Sequence, residues 1–224
     1  MALVRRLRLV VLVIAAASAG YLGARVLFAP PAPPPVVRAT IMPQAIALPA
    51  LSLVDQDGRP MTRDAFADRW TIVFFGFTAC PDVCPTTLAM LAQVERQLRE
   101  LPAAERPRVL LISVDPDRDD ATRLRAYVKS FNADFLAATG TSQAISQTAQ
   151  AFGIGYARIV RPDGSYTVEH GSSLFVVGPS RGVVATFPAP HDPRVLASDY
   201  RLIVEHENAR SRGFRPARLF ARAP

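Results

Sequence analysis

The alternation of apolar and polar residues divides most of the chain into a regular series of strands and helices. Two runs rich in β-branched and aromatic residues, 71–77 and 108–114, are almost wholly apolar and predict buried strands. Apolar positions at spacings of three and four follow the first run and predict a helix over about 85–100. A second helix is predicted after the second run, with Asp119 or Asp120 as its N-terminal cap.

The remaining segments complete an α/β pattern. Residues 51–62 predict a hairpin with its turn at Asp57–Gly58. The other predicted elements are a short stretch at 134–139, a helix at 142–152, strand pairs at 156–160 with 165–169 and at 174–177 with 183–187, and a helix at 193–207. Strand–helix–strand–helix, followed by two antiparallel strands and a helix, is typical of a thioredoxin-like fold, a central mixed sheet flanked by helices.

The N-terminal residues 1–29 have a different pattern, an arginine cluster followed by an apolar run. Arg5, Arg6 and Arg8 precede Leu9–Ala24, which carries no charge. We interpret the segment as a single-pass transmembrane anchor of the inner membrane, which places the domain on the periplasmic side. The alternative is a signal sequence cleaved near Ala19.

The composition of the chain predicts where the linker, the folded domain and the tail begin and end. Residues 30–43 are rich in proline and predict a stiff, extended linker. The folded domain is predicted over 44–207. Residues 208–224 are basic, lack a core pattern and predict a mobile tail.

The net charge of +7 does not indicate a nucleic-acid-binding protein. Residues 1–40 carry +5 and residues 201–224 carry +4, whereas residues 41–200 carry −2. A near-neutral fold has no basic face for a phosphate backbone, so we exclude nucleic acid as a partner. Basic ends are instead typical of a protein near a membrane surface.

The two cysteines of the chain, Cys80 and Cys84, lie between a predicted strand and a predicted helix. Pro85 suits the first turn of that helix. A thiol at a helix N-terminus lies in the positive field of the helix dipole, which favours the thiolate. The C-x-x-x-C spacing lets both sulfurs point to one side, which suits chelation of one metal ion and also permits a disulfide.

A soft metal ion bound by two thiolates needs a further ligand, and the chain has three histidines. His170 ends a predicted strand, and in a thioredoxin-like sheet the loop after that strand faces the cysteine loop. His191 lies among prolines in a predicted surface loop, and His206 lies near the basic tail. His170 is therefore the candidate ligand, although a lone histidine is more often structural.

Several segments resemble one protein family. The cysteine segment GFTACPDVCP (76–85) resembles the signature of the SCO/SenC family, copper chaperones of cytochrome c oxidase assembly. SVDPDRD (113–119) and FNADF (131–135) with Gly140–Thr141 resemble further family segments. The similarity extends over about residues 45–205, and Tyr156 and the His170 segment fall where the family has its tyrosine and its metal histidine.

The resemblance implies a metallochaperone that binds one copper ion, Cu(I) or Cu(II), through Cys80, Cys84 and His170. It implies delivery to the copper-bearing subunit of cytochrome c oxidase, with a thiol reductant or upstream copper donor as a further partner. Asp115 of the SVDP segment is implied near the site, with a turn residue before proline as the alternative. Asp82 could tune the charge of the site, or could simply be an acid before a helix start.

A thiol enzyme is the alternative function. Cys80 and Cys84 could act as a thiol–disulfide oxidoreductase or a peroxidase-like enzyme, and one substrate could be the cysteines of the oxidase copper site. The two functions share a fold, so the fold does not discriminate between them. The role of His170 does, because a copper carrier needs a third ligand and a thiol reductase does not.

Overall fold

The structure is a computed structural model that describes residues 2–27 and 37–213. Helix α1 covers Ala2–Leu27 and belongs to a separate unit from the compact unit that ends at Asn208. Among the described residues, no helix combines the length and the apolar character needed to cross a membrane. The predicted transmembrane anchor is therefore not supported.

The compact unit alternates strands and helices along the chain. In order, its elements are β1 (Thr40–Ala47), β2 (Leu53–Asp55), β3 (Pro60–Met61), a 3-10 turn (Arg63–Phe66), β4 (Thr71–Gly76), α2 (Val83–Gln97), β5 (Arg108–Ser113), α3 (Ala121–Lys129), β6 (Leu136–Thr139), α4 (Ser142–Ala151), β7 (Tyr156–Val160), β8 (Tyr166–His170), β9 (Leu174–Gly178), β10 (Gly182–Phe187) and α5 (Pro193–Gly213), of which residues 193–208 belong to this unit. This order agrees with the predicted thioredoxin-like arrangement.

Eight strands form one mixed sheet in the order β1-β10-β9-β4-β5-β6-β2-β3. The three central strands β4, β5 and β6 are parallel, and the other pairs are antiparallel. All six residues of β4 are buried, because helices cover both faces of the sheet there. The predicted apolar run at 71–77 is thus the centre of the fold.

Side chains that alternate along β4 identify the two layers. Gly76 and Phe74 face α2, since a Cβ built at Gly76 would lie 2.9 Å from Cys84 Sγ and from the Phe74 ring. Phe75 points to the opposite face, where its ring meets that of Phe152 after α4 at 5.3 Å. The first turn of α2, which contains Cys84, therefore packs against the carboxyl end of β4.

The hairpin β7–β8 stands apart from the main sheet as a two-stranded sheet. Its register pairs Tyr156 with His170 and Val160 with Tyr166. The sequence predicted both strands, and the turn at 161–164 has Gly164 at φ 80°. His170 is the last residue of this hairpin, and three residues separate it from β9.

Three predicted boundaries differ from the structure. Strand β1 begins at Thr40, inside the predicted linker, and it pairs with β10 at the edge of the sheet, where Pro43 is tolerated. Helix α2 begins at Val83 rather than near residue 85, so Cys84 is already helical. Helix α5 continues to Gly213, which places residues 208–213 of the predicted mobile tail in a helix.

Other predictions fall partly outside the described residues. The first half of the proline-rich linker, residues 30–36, and the end of the basic tail, residues 214–224, are not described. The helix predicted over 142–152 is confirmed as α4, with Thr141 as its cap through a bond from the Ala144 N–H to its hydroxyl. At the start of α3, Asp120 is the residue that caps, and it accepts from the Arg123 N–H at 2.7 Å.

Candidate metal centre

The two cysteines flank the start of α2. Both are free thiols, with Cys80 half-buried and Cys84 fully buried. The Cys84 amide belongs to the first turn of the helix, where it has no partner within the helix, and it donates to Cys80 Sγ at 3.4 Å. The helix N-terminus thus directs a backbone donor at the sulfur of Cys80.

Glycine at position 76 makes room for the buried sulfur of Cys84. Any Cβ there would come within 2.9 Å of Cys84 Sγ, a distance at which a neighbouring group must shift. The Gly76 carbonyl also accepts from Val114 at 2.9 Å, which ties the end of β4 to the next parallel strand. The position of Cys84 is therefore fixed by the core of the sheet.

His170 reaches the cysteines from the hairpin. Its Nε2 lies 3.6 Å from Cys84 Sγ, and its Nδ1 lies 3.0 Å from the carbonyl oxygen of Gly171. Because a carbonyl only accepts, Nδ1 carries the proton and the Nε2 lone pair faces the thiol. A metal-binding histidine usually donates its other ring nitrogen to such an acceptor, which fixes the tautomer.

Aromatic residues of the β4 region hold the imidazole on two sides. The rings of Phe74 and Phe77 meet the His170 ring edge to face, with centroids 6.1 and 5.9 Å away. These contacts limit the access of water to the ring. They also leave the Nε2 edge directed at Cys84.

Burial sets the protonation of both groups. Removal from water raises the pKa of the Cys84 thiol above its usual range and lowers the pKa of His170. Without a metal ion, both groups are therefore neutral at pH 7. For Cys84, burial outweighs the helix dipole, so the expectation that its helix N-terminal position favours the thiolate is wrong.

Asp119 supports the cysteine loop, a role that sequence reasoning did not assign. Its fully buried carboxylate accepts from the Thr78 amide at 3.0 Å, the Thr78 hydroxyl at 2.5 Å and the Ser113 hydroxyl at 2.6 Å. It thereby fixes the residue two positions before Cys80. The sequence offered Asp119 only as an alternative helix cap.

Asp115 and Asp82, the two further candidates, have different surroundings. Asp115 is 3% exposed, accepts from the Tyr166 hydroxyl at 2.8 Å and forms an ion pair with Arg118. It therefore holds the hairpin that carries His170. Asp82 is exposed at the N-cap position of α2, and its carboxylate accepts from the Thr86 hydroxyl at 3.3 Å.

Cys84 and His170 are candidate ligands in direct contact, with 3.6 Å between Sγ and Nε2. Within the described residues, no group of three or more histidine, cysteine or acidic side chains is already gathered around one point as a metal site. His191 lies in the loop before α5, and His206 lies on α5. His191 is half-buried rather than on the surface, and its Nε2 contacts the Ser172 carbonyl oxygen at 2.9 Å.

Comparison with known proteins places this arrangement in a family. The family model SCO1/SenC matches residues 42–205. A protein of Stutzerimonas stutzeri, which has the provisional name of a copper-binding protein, is 36% identical over 67% of this chain and 73% of its own length. The mitochondrial protein SCO1 homolog 1 of Arabidopsis thaliana is 33% identical over 63% of this chain but only 42% of its own length.

Solved structures agree with the fold. Arabidopsis thaliana ScoI with copper bound has a TM-score of 0.66 and 30% identity, covering 73% of this chain and 99% of that one. Bradyrhizobium japonicum ScoI with copper bound has a TM-score of 0.62 and 28% identity, covering 69% and 98%. With the family model matched over most of its length, the chain belongs to the SCO1/SenC family.

Proposed function

We propose that this chain is a copper-binding and transfer protein that holds one copper ion through Cys80, Cys84 and His170. The observation that carries the proposal is the 3.6 Å separation of Cys84 Sγ and His170 Nε2. A tetrahedral or trigonal metal with bonds of about 2.3 Å to sulfur and 2.0 Å to nitrogen holds these atoms roughly 3.5–3.7 Å apart. The pair therefore has the spacing of two ligands of one ion.

Cys80 completes the set. Its sulfur already accepts the Cys84 amide at 3.4 Å, and its half-buried side chain lies at the edge of the site. Two thiolates and one imidazole suit Cu(I), which prefers sulfur, and the imidazole extends the site to Cu(II). Binding requires loss of both thiol protons, so copper uptake releases protons and weakens as the pH falls.

Delivery to cytochrome c oxidase is the physiological role that we propose. Support comes from membership of the SCO1/SenC family and from the copper-bound state of the ScoI structures. Cys80 is the ligand that an acceptor can reach, because Cys84 is fully buried. The copper-bearing oxidase subunit is the proposed acceptor, and a thiol reductant or an upstream copper donor loads the site.

Thiol–disulfide exchange is the second candidate function. Cys80, which receives the helix N–H, would be the attacking thiolate, and buried Cys84 would close the disulfide. Nothing in that chemistry requires an imidazole with its lone pair directed at Cys84. The orientation of His170 therefore favours copper binding as the main function.

We also propose that the N-terminal segment brings the domain to the outer face of the cytoplasmic membrane. The arginine cluster before an apolar run supports export of the domain. An alkaline phosphatase fusion after Pro43 tests this, and an active, exported fusion is expected. Fractionation then distinguishes a retained segment from cleavage near Ala19, and an inactive fusion would contradict export.

Single substitutions in the purified chain test the proposed ligands. We expect Cys80→Ser and Cys84→Ser to lower copper affinity by more than about 100-fold, beyond what loss of an outer partner costs. His170→Ala should remove Cu(II) absorption, weaken Cu(I) retention and prevent oxidase maturation in the cell. His206→Ala is the matched control and should retain full binding.

The decisive result concerns His170→Ala. Copper bound per chain and oxidase activity are measured together with disulfide reduction. Full copper retention and full oxidase activity in this variant would contradict the ligand assignment. Lost copper binding and lost oxidase activity with intact thiol exchange would support the copper carrier as the main function.

A further inference from the structure

The segment 171–173 joins the hairpin to the main sheet directly after His170. It is irregular, and its first peptide carries the acceptor of the His170 ring, the Gly171 carbonyl oxygen at 3.0 Å. The Gly171 amide donates to the Gly155 carbonyl at 3.2 Å. The direction of His170 Nε2 therefore depends on how the peptides of this segment are oriented.

His191 contacts the next peptide of the same segment. Its Nε2 lies 2.9 Å from the Ser172 carbonyl oxygen, 19 residues away along the chain. Since that oxygen only accepts, Nε2 of His191 is the protonated nitrogen. The contact is half-buried, which strengthens it relative to one in open solvent.

Strand pairing explains why these distant residues meet. Strands β9 and β10 pair antiparallel, with Leu174 opposite Phe187. Ser172 precedes β9 by two residues, and His191 follows β10 by four. Leu174 also pairs with Phe74, whose ring contacts His170. The segment and the candidate metal centre therefore lie at the same end of the sheet, where β4 ends and β9 begins.

The loop that carries His191 is anchored at its far end. Asp192 follows directly and accepts from the amides of Arg194 and Val195 at 2.8 and 3.1 Å. These bonds begin helix α5, so His191 sits at a capped helix start. Its ring can therefore act as a fixed support rather than follow the segment that it contacts.

We propose that His191 is a positioning residue for the metal ligand His170, an inference that rests on the proposed copper function. His191 holds the Ser172 carbonyl, the adjoining Gly171 carbonyl holds the His170 ring, and Nε2 is thereby directed at Cys84. Loss of His191 removes the contact with the Ser172 carbonyl and leaves segment 171–173 free to change its orientation next to β9. The effect falls mainly on Cu(II), because Cu(II) depends more on nitrogen donors than Cu(I) does.

The test compares three variants of the full chain. His191→Ala removes the donor, His191→Gln retains an N–H donor, and His206→Ala is the control on α5. We expect His191→Ala to weaken Cu(II) binding about 3- to 10-fold. Loss of a group that bonds directly to a metal ligand costs about 10- to 100-fold in affinity, and His191 acts one peptide further away. Cu(I) affinity should change by less than about 2-fold, since the thiolates dominate it. His191→Gln should recover part of the loss.

A second measurement does not depend on copper. Nitrogen NMR of the His170 ring in the copper-free chain should show the Nδ1–H tautomer in the wild type and a mixture of tautomers in His191→Ala. Thermal unfolding verifies that the variants are folded. Wild-type Cu(II) binding and an unchanged tautomer in folded His191→Ala would overturn the inference. If His170→Ala also binds copper like the wild type, the proposed function fails as well.

Discussion

The two sides of the candidate metal centre are held by different kinds of contact. Cys84 lies on α2 against β4, the fully buried strand between β5 and β9. His170 lies on a separate two-stranded hairpin, and four of the five residues of β7 are exposed. Core packing therefore fixes the sulfur side, whereas local contacts fix the nitrogen side.

Polar and aromatic contacts attach the hairpin to the loop after β5. The Tyr166 hydroxyl donates to Asp115 at 2.8 Å, and Arg118 Nη1 donates to the Tyr166 carbonyl at 3.1 Å. The guanidinium group of Arg118 in that loop lies 3.8 Å from the Tyr166 ring centroid, and that of Arg158 on β7 of the hairpin lies 3.5 Å from it. Cation–π contacts of this kind contribute on the order of 1 kcal/mol each.

This difference separates two effects that a substitution can have. A change on the sulfur side disturbs the core, so stability and both copper states should suffer together. A change on the nitrogen side should leave stability nearly intact and weaken Cu(II) selectively. Four substitution experiments, from the largest expected effect to the smallest, test that separation.

Asp119→Ala should have the largest effect. Three donors, the half-buried Thr78 amide and hydroxyl and the buried Ser113 hydroxyl, lose their acceptor. At about 1–3 kcal/mol for an unsatisfied buried group and less for a half-buried one, we expect a loss of roughly 3 kcal/mol in the free energy of unfolding, measured by urea denaturation. Cu(I) and Cu(II) should both bind more weakly, because Thr78 lies two residues before Cys80.

Asp120→Ala is the matched control. It removes only the cap of α3, the bond from the Arg123 amide, and should cost about 1 kcal/mol. Copper binding should stay at the wild-type level. Equal losses of stability in the two variants would show that Asp119 has no special role in supporting the cysteine loop.

Gly76→Ala should have the next largest effect. The added Cβ would lie 2.9 Å from Cys84 Sγ and from the Phe74 ring, so the core must shift. Overpacking of this kind costs about 1–3 kcal/mol, and the displaced sulfur should weaken both copper states. Thermal unfolding and copper competition measure the two effects.

Gly155→Ala provides the comparison for Gly76→Ala. A Cβ at Gly155 meets nothing within 4 Å, so stability and copper binding should be close to wild type. If Gly76→Ala binds Cu(I) like the wild type despite reduced stability, the position of Cys84 is not set by the core packing at β4.

Tyr166→Phe should act on the nitrogen side. The ring remains for Arg118 and Arg158, and only the hydrogen bond to Asp115 is lost. We expect a loss of about 1 kcal/mol in the free energy of unfolding. Cu(II) affinity should fall a few-fold and Cu(I) affinity should not change, in contrast to both substitutions on the sulfur side.

Tyr156→Phe serves as the control on the opposite strand. Tyr156 pairs with His170 in the hairpin but takes no part in the contact with Asp115. Copper titrations of the two variants should therefore differ. Equal weakening of Cu(I) and Cu(II) in Tyr166→Phe would contradict the separation of the two sides.

The central sheet could be predicted from the sequence because its strands are buried on both faces. The central residues of β4 and β5, 72–75 and 109–112, are unbroken apolar runs, and the turn at Gly58 has the positive φ of 79° that favours glycine. The edge strand β1 could not be predicted in the same way. Most of its residues are exposed, and Pro43 is more typical of a linker.

The candidate ligands could be proposed from the sequence, whereas the residues that support them could not. Cys80, Cys84 and His170 are rare residue types within a recognisable segment pattern. Asp119 and Asp120 are adjacent carboxylates, and the burial of Asp119 and its contact with Thr78, 41 residues earlier, distinguish them. The contact of His191 with Ser172 likewise depends on strand pairing between distant parts of the chain.

The smallest expected effect is a pH dependence on the nitrogen side. Burial lowers the pKa of His170 below its ordinary value of 6.5, so the folded copper-free chain keeps the ring neutral where the unfolded chain protonates it. Between these two pKa values the unfolded state binds more protons. Stability contributed by neutral His170 is therefore present above about pH 6.5 and is lost as the pH falls below it.

His170→Gln isolates this contribution, because the other titrating groups remain in both proteins. We expect the wild type to lose more stability than the variant between pH 7.5 and pH 5. The unfolding temperature of the wild type should therefore fall further than that of His170→Gln as the pH is lowered. The change should be small, since the hairpin lies at the edge of the fold and the ring is only partly buried. A difference that stays constant over this range would show that His170 is as accessible to water in the folded chain as in the unfolded one. The nitrogen side would then be open in the absence of metal, which would contradict the closed arrangement of His170 against Cys84, Phe74 and Phe77.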